Sequence, residues 1–454
     1  MTARGRVLLF AAVALSVAAP AWAGGAINNQ NLSADYIRML NRNAATDAAD
    51  IVFFNPAGIT KLDDGFTIRV DAQYVIKDYG NIVDPFDPIE TYPGGGGEFD
   101  QDEPSIIPGI FAAYNGGSWA AFFGVANVAG GGKVDYADGN WTSYQASLGA
   151  LSAMASLPAS LGGPITFEQI TSHSLEAEST APEIRAGMAW QGSEALSLSA
   201  GVRYIDFSRE ANGVGTLQDL DGSVGGASTD LAIGFEEEGT GIGWFLSAHV
   251  TPGDRWNFGV RYESEVDLEL DQTVTESSIS LNPALSPITD GILAAAGVVD
   301  GGTVQENLPA LLGVGVGFKL TDNVRLEFDY NWYMDESADL ERARYADIQD
   351  SQEYGLALDW QVTDSLKLSA GYLATRLDLP TEDLLPERPE LDADSYAAGL
   401  LWSLTDHFDL TLGVSKNTYD SQTFEDDLPP AGTGATVTFE KDGWGAAAGV
   451  QFTF

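Results

Sequence analysis

The 454-residue chain has no cysteine, three histidines, and only 22 lysines and arginines against 66 acids. Without cysteine it can form neither disulfides nor thiolate metal sites. His173, His249 and His407 have no neighbour at metal-ligand spacing. The nearest approach to a hydrolytic pair, "SHS" (172–174), has no orienting partner in register. No enzyme, cofactor or metal centre is expected. The formal charge of −44 argues against nucleic acid as a partner, because phosphates need clustered lysine and arginine. The acidic stretches 84–105 and 235–241 match no EF-hand spacing and read as solvated acid.

Long apolar runs are also missing, with one exception at the start. "MTARGR" carries two arginines and no acid, "VLLFAAVALSVAAP" follows, and Ala21-Trp22-Ala23 supplies small residues for cleavage. Residues 1–23 therefore read as a secretory signal peptide. Pro20 interrupts the run before it reaches the length of a membrane-spanning helix.

The later chain is built on alternation. In "NVRLEFDYNWY" one face carries Val324, Leu326, Phe328, Tyr330 and Trp332, and the other Arg325, Glu327, Asp329 and Asn331. "EYGLALDW" divides the same way, with Tyr354, Leu356, Leu358 and Trp360 on one face. A period of two means strands. Aromatics collect at segment ends, as with Trp256, Tyr262, Trp332, Trp360, Trp402 and Trp444, where interfacial girdles belong. Fourteen such segments begin near Gly65, Pro104, Trp119, Pro182, Leu196, Ile242, Trp256, Pro309, Val324, Glu353, Leu366, Ser395, Phe408 and Gly443.

Tight turns such as "NGGS" (115–118), "QGSE" (191–194) and "TPGD" (251–254) alternate strictly with long polar links, at about 79–103, 130–180, 209–240, 268–307, 335–351, 378–392 and 421–441. This spacing predicts a fourteen-stranded antiparallel transmembrane β-barrel over 65–454, in the outer membrane of a Gram-negative bacterium. The aperiodic segment 24–64 is too short for its own core and is expected to plug the barrel. Its "FFNPAG", with Asn55, Pro56 and Ala57, reads as a rigid turn against the inner wall.

Signal, hatch with Asn-Pro-Ala, fourteen strands and terminal Phe454 together resemble the FadL family of outer-membrane transporters, including its TodX-like branch. The most specific stretch is "AADIVFFNPAGITKLDD" (48–64), and only Asn55, Pro56 and Ala57 are carried over residue by residue. The resemblance implies passive uptake of long-chain fatty acids or of aromatic hydrocarbons. Substrate would be caught by extracellular loops and passed into the barrel. It would then leave sideways into outer-membrane lipid through a kink in the third strand. The third strand here, "WAAFFGVANVAGGGKVDY", offers Gly124, Asn127 and Gly130 to Gly132 for such a kink.

Two links carry apolar stretches, with Leu148, Leu151, Met154 and Leu157 in one and Leu285, Ile288, Ile292 and Leu293 in the other. They form either a capture groove or a lid packed on itself. Arg203, Arg261 and Arg325 fall on inward faces with Glu263, Glu327, Asp329, Asp359 and Asp409. They either pair across the lumen and anchor the plug, or one of them binds a substrate carboxylate. Other readings are a hydrocarbon channel of the same family, a general porin, and a structural surface barrel without a specific ligand. A plugged barrel can work as a monomer.

Overall fold

The computed structural model describes residues 25–85, 96–159, 163–220, 222, 225–428 and 433–454. The expected signal segment 1–23 and residues 86–95 of the first acidic link lie outside them. Fourteen strands make the wall: β1 Gly65–Pro85, β2 Pro104–Asn115, β3 Trp119–Tyr136, β4 Gln169–Gln191, β5 Leu196–Gln218, β6 Ser228–Val250, β7 Trp256–Glu263, β8 Leu311–Thr321, β9 Val324–Tyr333, β10 Ser351–Thr363, β11 Leu366–Arg376, β12 Ala393–Thr405, β13 Phe408–Tyr419 and β14 Thr433–Thr453. Each is antiparallel to the next. The sheet closes where β1, already paired with β2, pairs with β14 from Thr67↔Thr453 to Pro85↔Ala435. Short strands at Gly97–Gln101, Glu269–Ile279, Thr303–Gln305 and Gln422–Leu428 extend the wall at the long-link end.

The apolar face points outward. Ile184, Met188, Val202, Leu246, Phe328, Leu356 and Val414 are exposed, whereas Arg69, Arg185, Arg203 and Arg261 are buried inside. A water-soluble barrel would reverse this, so the outer face is built for lipid. Trp119, Trp190, Trp256, Trp360 and Trp402 are exposed near the short-turn end and mark its girdle.

Three strands begin well before the alternation suggests: β4 at Gln169 rather than Pro182, β6 at Ser228 rather than Ile242, and β14 at Thr433 rather than Gly443. Much of what reads as polar link is strand. The cause is a change of phase. Low in β5 the outward residues are Leu198, Val202 and Tyr204 and the inward ones Ser197, Ser199 and Arg203; higher up, Asp206, Ser208 and Glu210 face out and Ile205, Phe207 and Ala211 face in. In β6, Ile242, Trp244 and Leu246 give way in the same manner to Thr240, Glu238 and Glu236. The period of two continues but the apolar parity switches, because water replaces lipid outside while an apolar cap fills the interior.

Residues 25–62 run inside the barrel and are almost entirely buried. The short helix α1 (Ala34–Met39) begins at Ser33, whose hydroxyl accepts from the Tyr36 N–H at 3.0 Å and donates to Asp50 at 2.6 Å. The wall makes room for this segment with glycine. A side chain at Gly371 would strike the Met39 carbonyl, and one at Gly259 the Asn43 carbonyl. Two further helices, α2 (Trp141–Ala155) and α3 (Ser286–Ala295), close the long-link end.

Candidate functional site

The "FFNPAG" turn sits where the inner segment meets β3 to β6. Phe53 lies under the Arg185 guanidinium, 4.1 Å from its ring centre, and edge-on to Phe111. Phe54 stacks on Tyr36 at 5.4 Å. Pro56 opens a 3-10 turn that delivers the Ala57 N–H to Ser247 Oγ at 2.8 Å. Asn55 Nδ2 donates to the Ala45 carbonyl at 2.8 Å and lies 2.8 Å from His249 Nδ1.

Charged side chains fasten the rest. Arg185 and Arg203 share Glu183 and Glu263, and Arg261 reaches Glu263 at 3.3 Å and Gln30 at 3.1 Å. Arg38 joins Asp35 to Asp359, Arg42 joins Asp47 to Asp50, and Arg69 joins Asp35 to Asp71. Asp329 accepts the backbone N–H groups of Arg42 and Asn43 at 2.7 and 2.8 Å. Arg325 pairs with Glu327 and donates to the Ala44 carbonyl. Thus Arg203, Arg261 and Arg325 are all committed to carboxylates or to the inner segment. None of the three lines either cavity described next.

The first cavity pierces the wall. β2 and β3 pair only from Asn115↔Ala120 to Ile110↔Val125; beyond that the strands part, at Pro108 and Pro104 in β2, which lack an N–H. The pairing of β3 with β4 slips twice, between Asn127 and Ala129 and between Ala129 and Gly132. Gly130 and Gly132 have φ of 78° and 67°, conformations that favour glycine. Asn127 bridges the slip by accepting the Ala181 N–H and donating to the Ala129 carbonyl, both at 2.8 Å. Gly124 is not part of the irregularity. It lies in unbroken register, and its bare Cα admits the Phe53 ring. The resulting window is about 420 Å³, bounded inside by Asn29, Asn31 and Lys77 and outside by Ile106 and Pro182. The inner segment holds it: Asn28 bridges Ala129, the Asn29 N–H donates to the Val128 carbonyl at 2.6 Å, and Asn29 Nδ2 to the Gly130 carbonyl at 2.8 Å.

The second cavity, about 1130 Å³, lies at the long-link end beside α2 and α3. Ala294, Ala295, Val299, Leu384 and Leu385 give it apolar wall; Glu341, Glu382, Asp383, Glu425 and Asp426 line it together with Arg342 and Arg344. The eight apolar residues singled out from the sequence do not line it. Leu148, Leu151, Met154, Leu285, Ile292 and Leu293 are buried, and Leu157 and Ile288 are half-buried against the same core.

Residues 386–390 strap these parts together. The Pro386 carbonyl accepts Tyr136 Oη–H at 2.8 Å, Glu387 accepts Thr142 Oγ1–H at 2.8 Å and Asn140 Nδ2 at 3.2 Å, and Arg388 donates to the Ala26 carbonyl at 2.6 Å. Burial pushes the Glu387 carboxyl up to about 7. Beneath the strap, Arg209 and Arg342 are clamped between Glu237 and Glu306. Sequence reasoning missed Arg38, Arg42, Arg185, Lys77 and Arg388. One signal was available for all but Arg388, which lies on an outer link: in so acidic a chain the few cations on strands and in the plug segment stand out.

A family model described as outer membrane protein transport protein (OMPP1/FadL/TodX) matches residues 170–454. The chain belongs to this family. The match leaves out the hatch stretch 48–64, on which the sequence resemblance leaned most. Among solved structures, the chain is similar to a Pseudomonas aeruginosa FadL homologue, with TM-score 0.68 and 13% identity over 95% of this chain and 100% of that one. It is also similar to the Pseudomonas putida toluene transporter TodX, with TM-score 0.59 and 13% identity over 90% and 96%. The CymD monoaromatic hydrocarbon channel gives TM-score 0.53 and 12% identity over 93% and 97%. At such identities these likenesses speak for the fold alone. A comparison with curated protein sequences finds no match. OMPP1/FadL/TodX proteins are transporters and channels, not enzymes, and this one is accordingly an outer-membrane barrel for hydrophobic molecules. Its short turns face the periplasm and its long links the outside.

Proposed function

We propose that the protein takes up long-chain fatty acids passively: they enter at the extracellular cavity, pass along the hatch, and leave sideways into membrane lipid through the window at β3. The observation that carries this reading is the window itself, shut by Asn28 and Asn29 of the hatch while the axial lumen is filled. An open porin needs no hatch, and a purely structural barrel needs no gap in its wall. Size favours a long substrate. A single aromatic ring is housed by a cavity of about 150 Å³, whereas the two cavities here are about 420 and 1130 Å³. One chain builds hatch, window and cavity, so a monomer suffices.

The excess of acids over Arg342 and Arg344 in the outer cavity favours a second reading, a neutral hydrocarbon, because a net negative lining repels carboxylates. Binding of a radiolabelled long-chain fatty acid to detergent-purified protein, with toluene and a long-chain alkane as competitors, separates them. Saturable binding that toluene leaves untouched supports fatty acid uptake. Displacement by the neutral compounds supports the hydrocarbon, and no binding of any returns the porin or structural barrel.

A further inference from the structure

Lys77, on β1, is fully buried, at 0% exposed, and lines the inner side of the window. Its ammonium donates to the carbonyls of Gly131 and, at 3.2 Å, Lys133, both on the distorted part of β3. No carboxylate of the described residues lies within ion-pair distance of it. Arg38, Arg42, Arg69, Arg185, Arg203 and Arg261 are as deeply buried, and each has a carboxylate within 3.3 Å. A buried cation without a counter-charge is costly, so the protein ordinarily neutralises one. At Lys77 no carboxylate of the described residues does so; backbone carbonyls alone face its ammonium. Glu178, which also lines the window, and Glu103 stand beyond ion-pair distance of it, and Lys133, at the outer rim, is already taken by Glu176 at 2.9 Å.

Around this charge the window is shaped for an amphiphile. Val75, Ile107, Val125 and Ala126 flank the path, and Ile106 at its outer edge is 74% exposed toward lipid. Gly132 has to be bare here, because a side chain on it would strike Ser105 Oγ and crowd Lys77 Nζ.

We infer that Lys77 is a carboxylate-recognition residue at the lateral window, pairing with the head of a fatty acid while its tail already lies among outer-membrane lipids. This rests on the uptake reading above and names a determinant that the lumenal arginines do not supply. It makes the window selective for anionic over neutral amphiphiles of the same length.

The test compares oleate with oleyl alcohol, which has the same tail and no charge, and with toluene, for uptake into proteoliposomes at pH 7. Wild-type protein is expected to prefer oleate. Lys77→Met should lower oleate uptake by about tenfold, the worth of one charge-assisted contact, with oleyl alcohol and toluene unchanged; Lys77→Arg should restore it. Unaltered oleate preference in Lys77→Met overturns the assignment. So does an equal loss for all three compounds, which makes Lys77 a strut for β3, and so does a tightly held lipid phosphate lost only from Lys77→Met with oleate uptake intact. If wild-type protein transports none of the three, the uptake reading itself fails and the assignment with it.

Discussion

Arg185 joins two acids to the hatch: Glu183 and Glu263 on the wall, and Phe53 beneath its guanidinium. Removing one member of a buried ionic cluster leaves the others uncompensated, at a cost of about 3–5 kcal/mol. Arg185→Met should therefore lower the thermal midpoint of the detergent-solubilised protein clearly, while Lys133→Met, at a half-exposed position paired with the exposed Glu176, should barely move it. Glu387 acts through pH. Its folded carboxyl is raised to about 7 by burial, so its contribution to strap docking is complete below its unfolded value of 4.5 and fades as pH rises through about 7. Proteolytic nicking of residues 378–392 should accordingly be slower at pH 5 than at pH 8, and Glu387→Gln should flatten that dependence.

At the scale of elements, the contact between the hatch and β3 decides whether the window is open. Asn28 and Ala129 form an antiparallel bridge, a spacing that suits a disulfide, and the chain has no other cysteine to interfere. In the double variant Asn28→Cys, Ala129→Cys, oxidation should abolish fatty acid uptake and leave binding at the outer cavity in place, with recovery on reduction. Uptake that survives complete cross-linking would mean the hatch does not gate the window. The phase change in β4, β5 and β6 belongs to this scale too. It marks the level at which the outer surface passes from lipid to water, so an aromatic reporter at Ile184 should sense lipid and one at Glu178 should not.

For the whole molecule, a barrel filled from Gly25 to Leu62 is closed to ions along its axis. In planar bilayers the intact protein should show little conductance. A variant lacking residues 25–62 that keeps its heat-modifiable, folded barrel should open a steady pore, because the fourteen-stranded wall closes without the hatch. High conductance from the intact chain would restore the general porin.

The strand count and the tight turns were legible from Trp256, Tyr354 and their alternating neighbours, because a lipid-facing strand must be apolar at every second residue whatever its partners. The outer reaches of β4 and β6 were not, since there the apolar parity reverses and a search for one continuous face stops at Pro182 or Ile242. The plug could be placed inside the barrel from its length and lack of period. What the sequence by itself determined was therefore topology, through a pattern that local chemistry enforces. Only the tertiary structure decided which charges meet: Arg203 with Glu183 twenty residues away, Arg388 with the Ala26 carbonyl at the other end of the chain, and Lys77 with no acid among the described residues. Such pairings depend on barrel closure and register, which no single strand encodes.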